Sequence, residues 1–303
     1  MADMTLAVPA SERSENIRGI VGMLVAMAVF VLNDTLMKLA AAHLPTGEAI
    51  FLRGVFTVGF CLALIYVTNL SWALPLALSP RVALRSLMDI GGTMLFLLAL
   101  VHMPLGDIFG IMQFTPLAIT AAAALFLGAK VGWRRWLAAA VGLIGVLIIV
   151  RPGGTAFNPY AILALGAVLC SVSRDIVTRG VAQHVPSLLI AGSSATMVML
   201  ASLGFTAFEN WRWPSLGTTL MLAAAAIALL AGQYCLIAAT RIGDIAVVAP
   251  FRYSLIVWAV ASGYIVWGEV PDTASWVGIA IVSLAGLYTF LREQHLARIA
   301  KAT

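Results

Sequence analysis

Apolar positions gather into ten runs, at 17–37, 46–68, 82–102, 105–127, 131–150, 159–179, 187–208, 218–239, 244–266 and 273–291. Short breaks of proline, glycine and charge separate them. A run of about 20 apolar residues, wound at 1.5 Å per residue, matches the roughly 30 Å of bilayer hydrocarbon. The runs are continuous and rich in leucine, alanine and glycine, with none of the period-two alternation of a membrane β-barrel. The pattern therefore predicts an all-α polytopic membrane protein of ten transmembrane helices. Residues 1–16 form a polar tail, and the first run has no small-residue cleavage site behind it, so it reads as an uncleaved span. The breaks are too short to hold a soluble domain.

Composition agrees with that pattern. The 303-residue chain is 62% hydrophobic and only 10% charged, where a soluble domain carries about 25% charged residues. Its mean hydropathy is +1.01. The net charge of +5 lies in residues scattered singly or in pairs, so it orients the chain in a membrane and does not mark a nucleic-acid partner. With the N-terminus inside, thirteen basic residues fall on the inner side against three outside (Lys38, Arg151, Arg212), while Arg53 and Arg252 lie within spans. Both termini are thus expected in the cytoplasm of a bacterial inner membrane. Cys61, Cys170 and Cys235 sit inside apolar runs at no metal-ligand spacing and read as packing residues. No metal or other cofactor is expected.

The chain repeats itself. Shifted by 141, residues 32–46 (LNDTLMKLAAAHLPT) align with residues 173–187 (SRDIVTRGVAQHVPS), so that Asp34 meets Asp175, Lys38 meets Arg179 and His43 meets His184. Gly-Asp-Ile at 106 recurs at 243. Each half, 17–150 and 159–291, holds five spans, and an odd number makes the second half enter from the opposite side. Inverted repeats of this kind build many secondary transporters. Residues 292–303 form a second cytoplasmic tail.

The first-span ending NDTLMK (33–38), FLRGVF (51–56), LALVHMPLGD (98–107) and Gly268-Glu269, taken in order, resemble EamA-type permeases of the drug/metabolite transporter superfamily. The resemblance spans nearly the whole chain. Lys130 departs from it, standing where the first half would mirror Glu269. The resemblance implies a metabolite carrier, similar within the superfamily to bacterial exporters of amino acids, aromatic ones above all. It also implies that spans five and ten are scaffold.

Candidate working residues are the polar and aromatic groups inside spans. An ionisable side chain there costs about 2.5–3.5 kcal/mol and needs a partner or a wet cavity. By depth, Asp89 shares a layer with Arg252, and Asp34 lies near Arg53, so these are expected charge pairs that gate a central cavity. Gln113, Phe114, Gln233, Tyr234, Phe251, Arg252, Tyr253 and Trp258 are expected to line it, with Arg252 taking a substrate carboxylate and the rings its side chain. Pro116 and Pro250 are expected to kink spans four and nine. His43 and His184 lie in His-X-Pro connections on opposite faces and read as loop caps.

The partners expected are a small-molecule substrate and the lipid bilayer, with the chain a monomer or weak homodimer. A nucleoside or drug-like cation is the alternative cargo. No phosphate-binding loop, His-Glu-x-x-His or Gly-x-Ser-x-Gly is present, which argues against a direct ATP motor or an intramembrane enzyme. An ion channel would favour oligomeric rings of one polar type over a mixed interior within one chain.

Overall fold

Backbone groups in hydrocarbon have no water to bond, so each apolar run closes its hydrogen bonds on itself as a helix. The computed structural model describes residues 10–126, 132–153, 157–179, 185–242 and 245–302. Its helices are α1 (Ala10–Ala41), α2 (Thr46–Val67), α3 (Pro80–His102), α4 (Leu105–Met112), α5 (Thr115–Phe126) and α6 (Trp133–Val150) in the first half. The second half holds α7 (Tyr160–Arg179), α8 (Ser187–Thr206), α9 (Leu216–Ile242), α10 (Ile245–Val248), α11 (Ser254–Trp267) and α12 (Thr273–Ala302). A 3₁₀ turn over Ser71–Leu78 precedes α3, and another over Ala249–Tyr253 joins α10 to α11. Ten stretches are long and apolar enough to cross a membrane, and no strand occurs among the described residues.

Two spans are interrupted close to the prolines expected to kink them, Pro116 and Pro250. Span four parts after Met112, and span nine passes through the 3₁₀ turn before α11 begins. The first break has a plain cause. Pro116 has no N–H to give the carbonyl of Met112 four residues earlier, and the Thr115 hydroxyl donates to that oxygen at 2.6 Å instead. The breaks stand at similar distances after the two Gly-Asp-Ile sequences, the second of which begins outside the described residues.

The halves interleave. α1 packs on α9, and its counterpart α7 packs on α3; α2 against α9 is mirrored by α8 against α3, and α1 against α11 by α7 against α5. The α2–α8 and α6–α12 pairs are each their own mirror image, and spans four and nine meet through α4 and α11. One core serves both halves, with Val31, Ile50, Leu100 and Ile108 buried alongside Ala164, Leu222, Ile256 and Val282.

α6 and α12 meet backbone to backbone. A Cβ on Gly278 would stand 2.6 Å from the Gly145 carbonyl oxygen, and one on Gly145 would stand 2.9 Å from that of Gly278. Small residues allow this approach, which suits a scaffold pair. Gly278→Val is expected to cost about 1–3 kcal/mol and to reduce the yield of monodisperse protein. Gly59→Ala, where a Cβ would meet nothing within 4 Å, should leave it unchanged. Equal yields in fluorescence-detected size exclusion would contradict the packing account.

Candidate functional site

The end of the bundle away from the N-terminus is stitched by polar contacts between the halves. α1 runs one turn further than its apolar pattern suggests and carries Lys38 in its last turn, buried to 8% exposure and not in a connection as expected. Its ammonium donates to the Met103 carbonyl at 2.7 Å and to Glu269 Oε1 at 3.0 Å, and lies 4.7 Å from the centre of the Trp267 ring. Glu269 arrives from the other half because Gly268 takes φ +69°, a left-handed turn that ends α11 and that L side chains resist. Its Oε2 accepts the N–H of Leu105 at 3.2 Å, a donor that the first turn of α4 leaves without an intrahelical partner.

Three further contacts close the same end. Arg151 bonds Asp272, and Asp272 in turn accepts the Ser275 N–H at 2.9 Å at the start of α12. Glu209 takes the N–H groups of Gly47 and Glu48 at 3.1 and 3.3 Å, placing a carboxylate at the N-terminus of α2. Glu48, wholly buried, accepts the Arg212 N–H at 2.9 Å. None of these links was among the sequence candidates. The readable signals were a lysine in a terminal turn and a Gly-Glu pair after span nine.

At the other end the expected Asp89–Arg252 pair does not form. Asp89 is bonded by Arg85 at 2.8 Å and by Arg174 at 3.1 Å, and Arg174 also reaches Asp175 at 2.9 Å. Arg85 further bonds Thr178 and Ser194. The reason is packing. Arg85 and Asp89 are one helical turn apart on α3, which lies against α7 and α8, whereas the 3₁₀ turn holding Arg252 lies against α1 and α12. Arg252 is exposed and makes no salt bridge among the described residues.

Asp34 and Arg53 are linked through a third residue. Arg53, at 8% exposure, reaches Asn33 Oδ1 at 3.5 Å, and Asn33 Nδ2 donates to Asp34 at 2.8 Å. Arg53 Nε is buried and has no partner. Beside this group, the Thr35 and Ser262 hydroxyls bond at 2.6 Å and tie α1 to α11.

The remaining candidates divide by position. Gln113 sits at the break in span four with its Nε2 buried and unpaired, and the Ser254 hydroxyl at the start of α11 is in the same condition. Gln233 lies two turns after fully buried Ala226 on α9 and is itself exposed. Tyr234 continues the exposed stripe of Leu220 and Ile227. Trp258 similarly shares an exposed stripe with Ile265, opposite buried Ile256, Ala259 and Gly263. Phe251 is exposed near the start of that stripe. Phe114 packs over Gly142 of α6, and the Tyr253 hydroxyl lies against Gly286 of α12. His43 gives its backbone N–H to Ala40, while His184 and Lys130 lie outside the described residues.

Comparison with known proteins adds the following. Residues 17–151 and 158–291 each match the EamA-like transporter family. The riboflavin transporter of Vibrio cholerae is 30% identical over 67% of this chain and 68% of its own length. The pseudopaline exporter of Pseudomonas aeruginosa is 26% identical over 88% of this chain and 94% of its own. The S-adenosylmethionine uptake transporter of Rickettsia prowazekii is 24% identical over 92% and 94%.

Two outcomes follow from the stitched end. If Lys38 and Glu269 hold each other, Lys38→Met and Glu269→Gln should each lower the melting temperature. The double variant should lose less than their sum, by a coupling of about 0.5–3 kcal/mol; strict additivity would deny the pair. For Asp272, which lies between spans, the Arg151 guanidinium and the Ser275 N–H hold the carboxyl well below the usual carboxylate range. A lowered value makes its stabilisation complete above the unfolded pKa of about 3.9 and lost only as pH falls below that. The melting difference between the native chain and Asp272→Asn should therefore stay constant from neutral pH to about pH 5 and shrink in more acid buffer. A difference that grew with acid would reverse this assignment.

Proposed function

With the chain belonging to the EamA-like transporter family, and so a multi-pass membrane transporter of small metabolites and no enzyme, we propose that it works by alternating access between its two interleaved halves. The observation that carries this reading is the Lys38–Glu269 pair, which joins α1 of one half to the end of α11 of the other and closes one end of the bundle. The Arg85–Asp89–Arg174 group stands at the opposite end, again between halves. Breaking one set while keeping the other would expose the interior to one side at a time.

Between the two ends lie the breaks in spans four and nine, and substrate meets the chain there. Gln113 and Ser254 offer unpaired polar groups, Gln233 is exposed, and Arg252, with no salt bridge among the described residues, is placed to take a carboxylate. Asp34 and Arg53, joined by Asn33, border the same interior. The excess of basic residues on the inner side supports cytoplasmic termini, and in that orientation the Lys38–Glu269 closure faces outward. The pathway lies within one chain, so a monomer suffices.

The finer reading is outward movement of amino acids, aromatic or hydrophobic, and it rests on the sequence resemblance and on Arg252. A second reading takes a larger heterocyclic metabolite, as the riboflavin and S-adenosylmethionine relatives are named for. Relatives named for export and for uptake occur together, so direction belongs to the individual member.

Counterflow in proteoliposomes tests the carrier reading and sorts the cargo. Labelled phenylalanine, tryptophan, leucine, riboflavin and S-adenosylmethionine are offered with and without unlabelled compound inside. Saturable exchange accelerated from the far side is expected for one of them. Gln113→Leu should slow that exchange about ten-fold, the loss of one buried hydrogen bond to substrate, at unchanged protein yield. Large linear flux without acceleration would instead indicate a channel.

A further inference from the structure

A recess of about 410 Å³ opens at the stitched end, among the ends of α1, α3 and α11. We propose that this recess is a binding site for a flat, hydrogen-bond-donating heterocycle, neutral or cationic, held between His102 and Trp267. Its volume falls in the range of small-molecule pockets. Its walls offer Ala42, Val101 and Pro104 as apolar surface and His102 and Trp267 as rings, with Lys38 and Glu269 as the polar floor.

His102 is an exposed aromatic group that the fold nevertheless holds still. Its ring stacks on Tyr160 with centroids 3.9 Å apart and planes 5° from parallel. Its Nδ1 lies 2.8 Å from the Leu98 carbonyl, which fixes the proton on that nitrogen and leaves Nε2 as an acceptor in the neutral ring. Asn158 donates to the His102 carbonyl at 3.0 Å and so ties down the backbone. A platform ordered in advance spares a ligand the cost of ordering it.

The charges select the ligand. The Lys38 ammonium is committed to Glu269, to the Met103 carbonyl and to the Trp267 face, and Arg151 is committed to Asp272, so neither remains for an anion. The hydrogen-bonding capacity left over is mainly that of acceptors, His102 Nε2 and the second lone pairs of Glu269, beside the single Trp267 indole N–H donor. Donor-bearing rings fit these, and flat anions do not.

The site lies on the far side of the Lys38–Glu269 closure from the interior, where a transported ring would pause on entering or leaving. That role rests on the transport reading, but binding in the recess does not. Equilibrium dialysis of the purified chain near neutral pH tests it with three probes: proflavine, a flat cation with N–H donors; 2-naphthalenesulfonate, a flat anion; and cyclohexylammonium, a cation without a ring face. One proflavine per chain is expected, with little of the other two. His102→Ala should weaken proflavine about ten-fold, as loss of a stacking partner and an acceptor requires. Ala42→Trp, which fills the recess from an exposed position and leaves its rings in place, should do the same and serves if His102→Ala folds poorly. Equal proflavine affinity in the native chain and Ala42→Trp, or tighter binding of the anion, would overturn the site. Absence of counterflow by the native chain would count against the transport reading alone, since dialysis decides the recess separately.

Discussion

A charged or hydrogen-bonding group inside a bilayer has only the protein to satisfy it, and this constraint organises the whole molecule. The chain is 10% charged, so each charged group within the bundle needs a partner of its own. Several of those partners come from the other half. Lys38 finds Glu269, Arg151 finds Asp272, Asp89 finds Arg174, and Glu209 covers the start of α2. In a soluble protein such contacts at a surface contribute little, because water competes for both groups. At the ends of a membrane bundle the competition is weaker, and the same contacts define how the halves meet.

Interleaving makes those contacts a candidate mechanism as well as a brace. Were the halves packed side by side, each would satisfy its own charges and could move without breaking any. Here α1 lies on α9 and α7 on α3, so neither half can move against the other without disturbing the pairs between them. The scaffold pair α6–α12 meets carbonyl against glycine and has no room for adjustment. A rigid seam on one flank with ion pairs at both ends suits rocking better than expansion.

The helix breaks follow from the same constraint. Breaking a helix in hydrocarbon frees backbone groups, and a chain tolerates it where side chains or a cavity take them up. Thr115 does so for the Met112 carbonyl. Gln113 and Ser254, each beside a break, are left with polar atoms that no protein group satisfies. Both halves therefore bring incomplete polar surface to the middle of the same two spans.

The ten helices were legible from hydrophobic run length alone, because hydrocarbon thickness dictates it, and an odd number of spans per repeat already implies inversion. Arg85 and Asp89 could have been paired from their four-residue spacing, yet depth alone suggested Arg252, since depth says how far along the membrane normal a residue lies and nothing about which helix stands beside it. Lys38 and Glu269 are 231 residues apart, and no local pattern relates them. The sequence by itself determined how many times the chain crosses the membrane, that its halves are kin, and which side chains require partners. The tertiary structure alone decided who those partners are, because that depends on helix rotation and neighbour order, which packing among all ten spans sets at once.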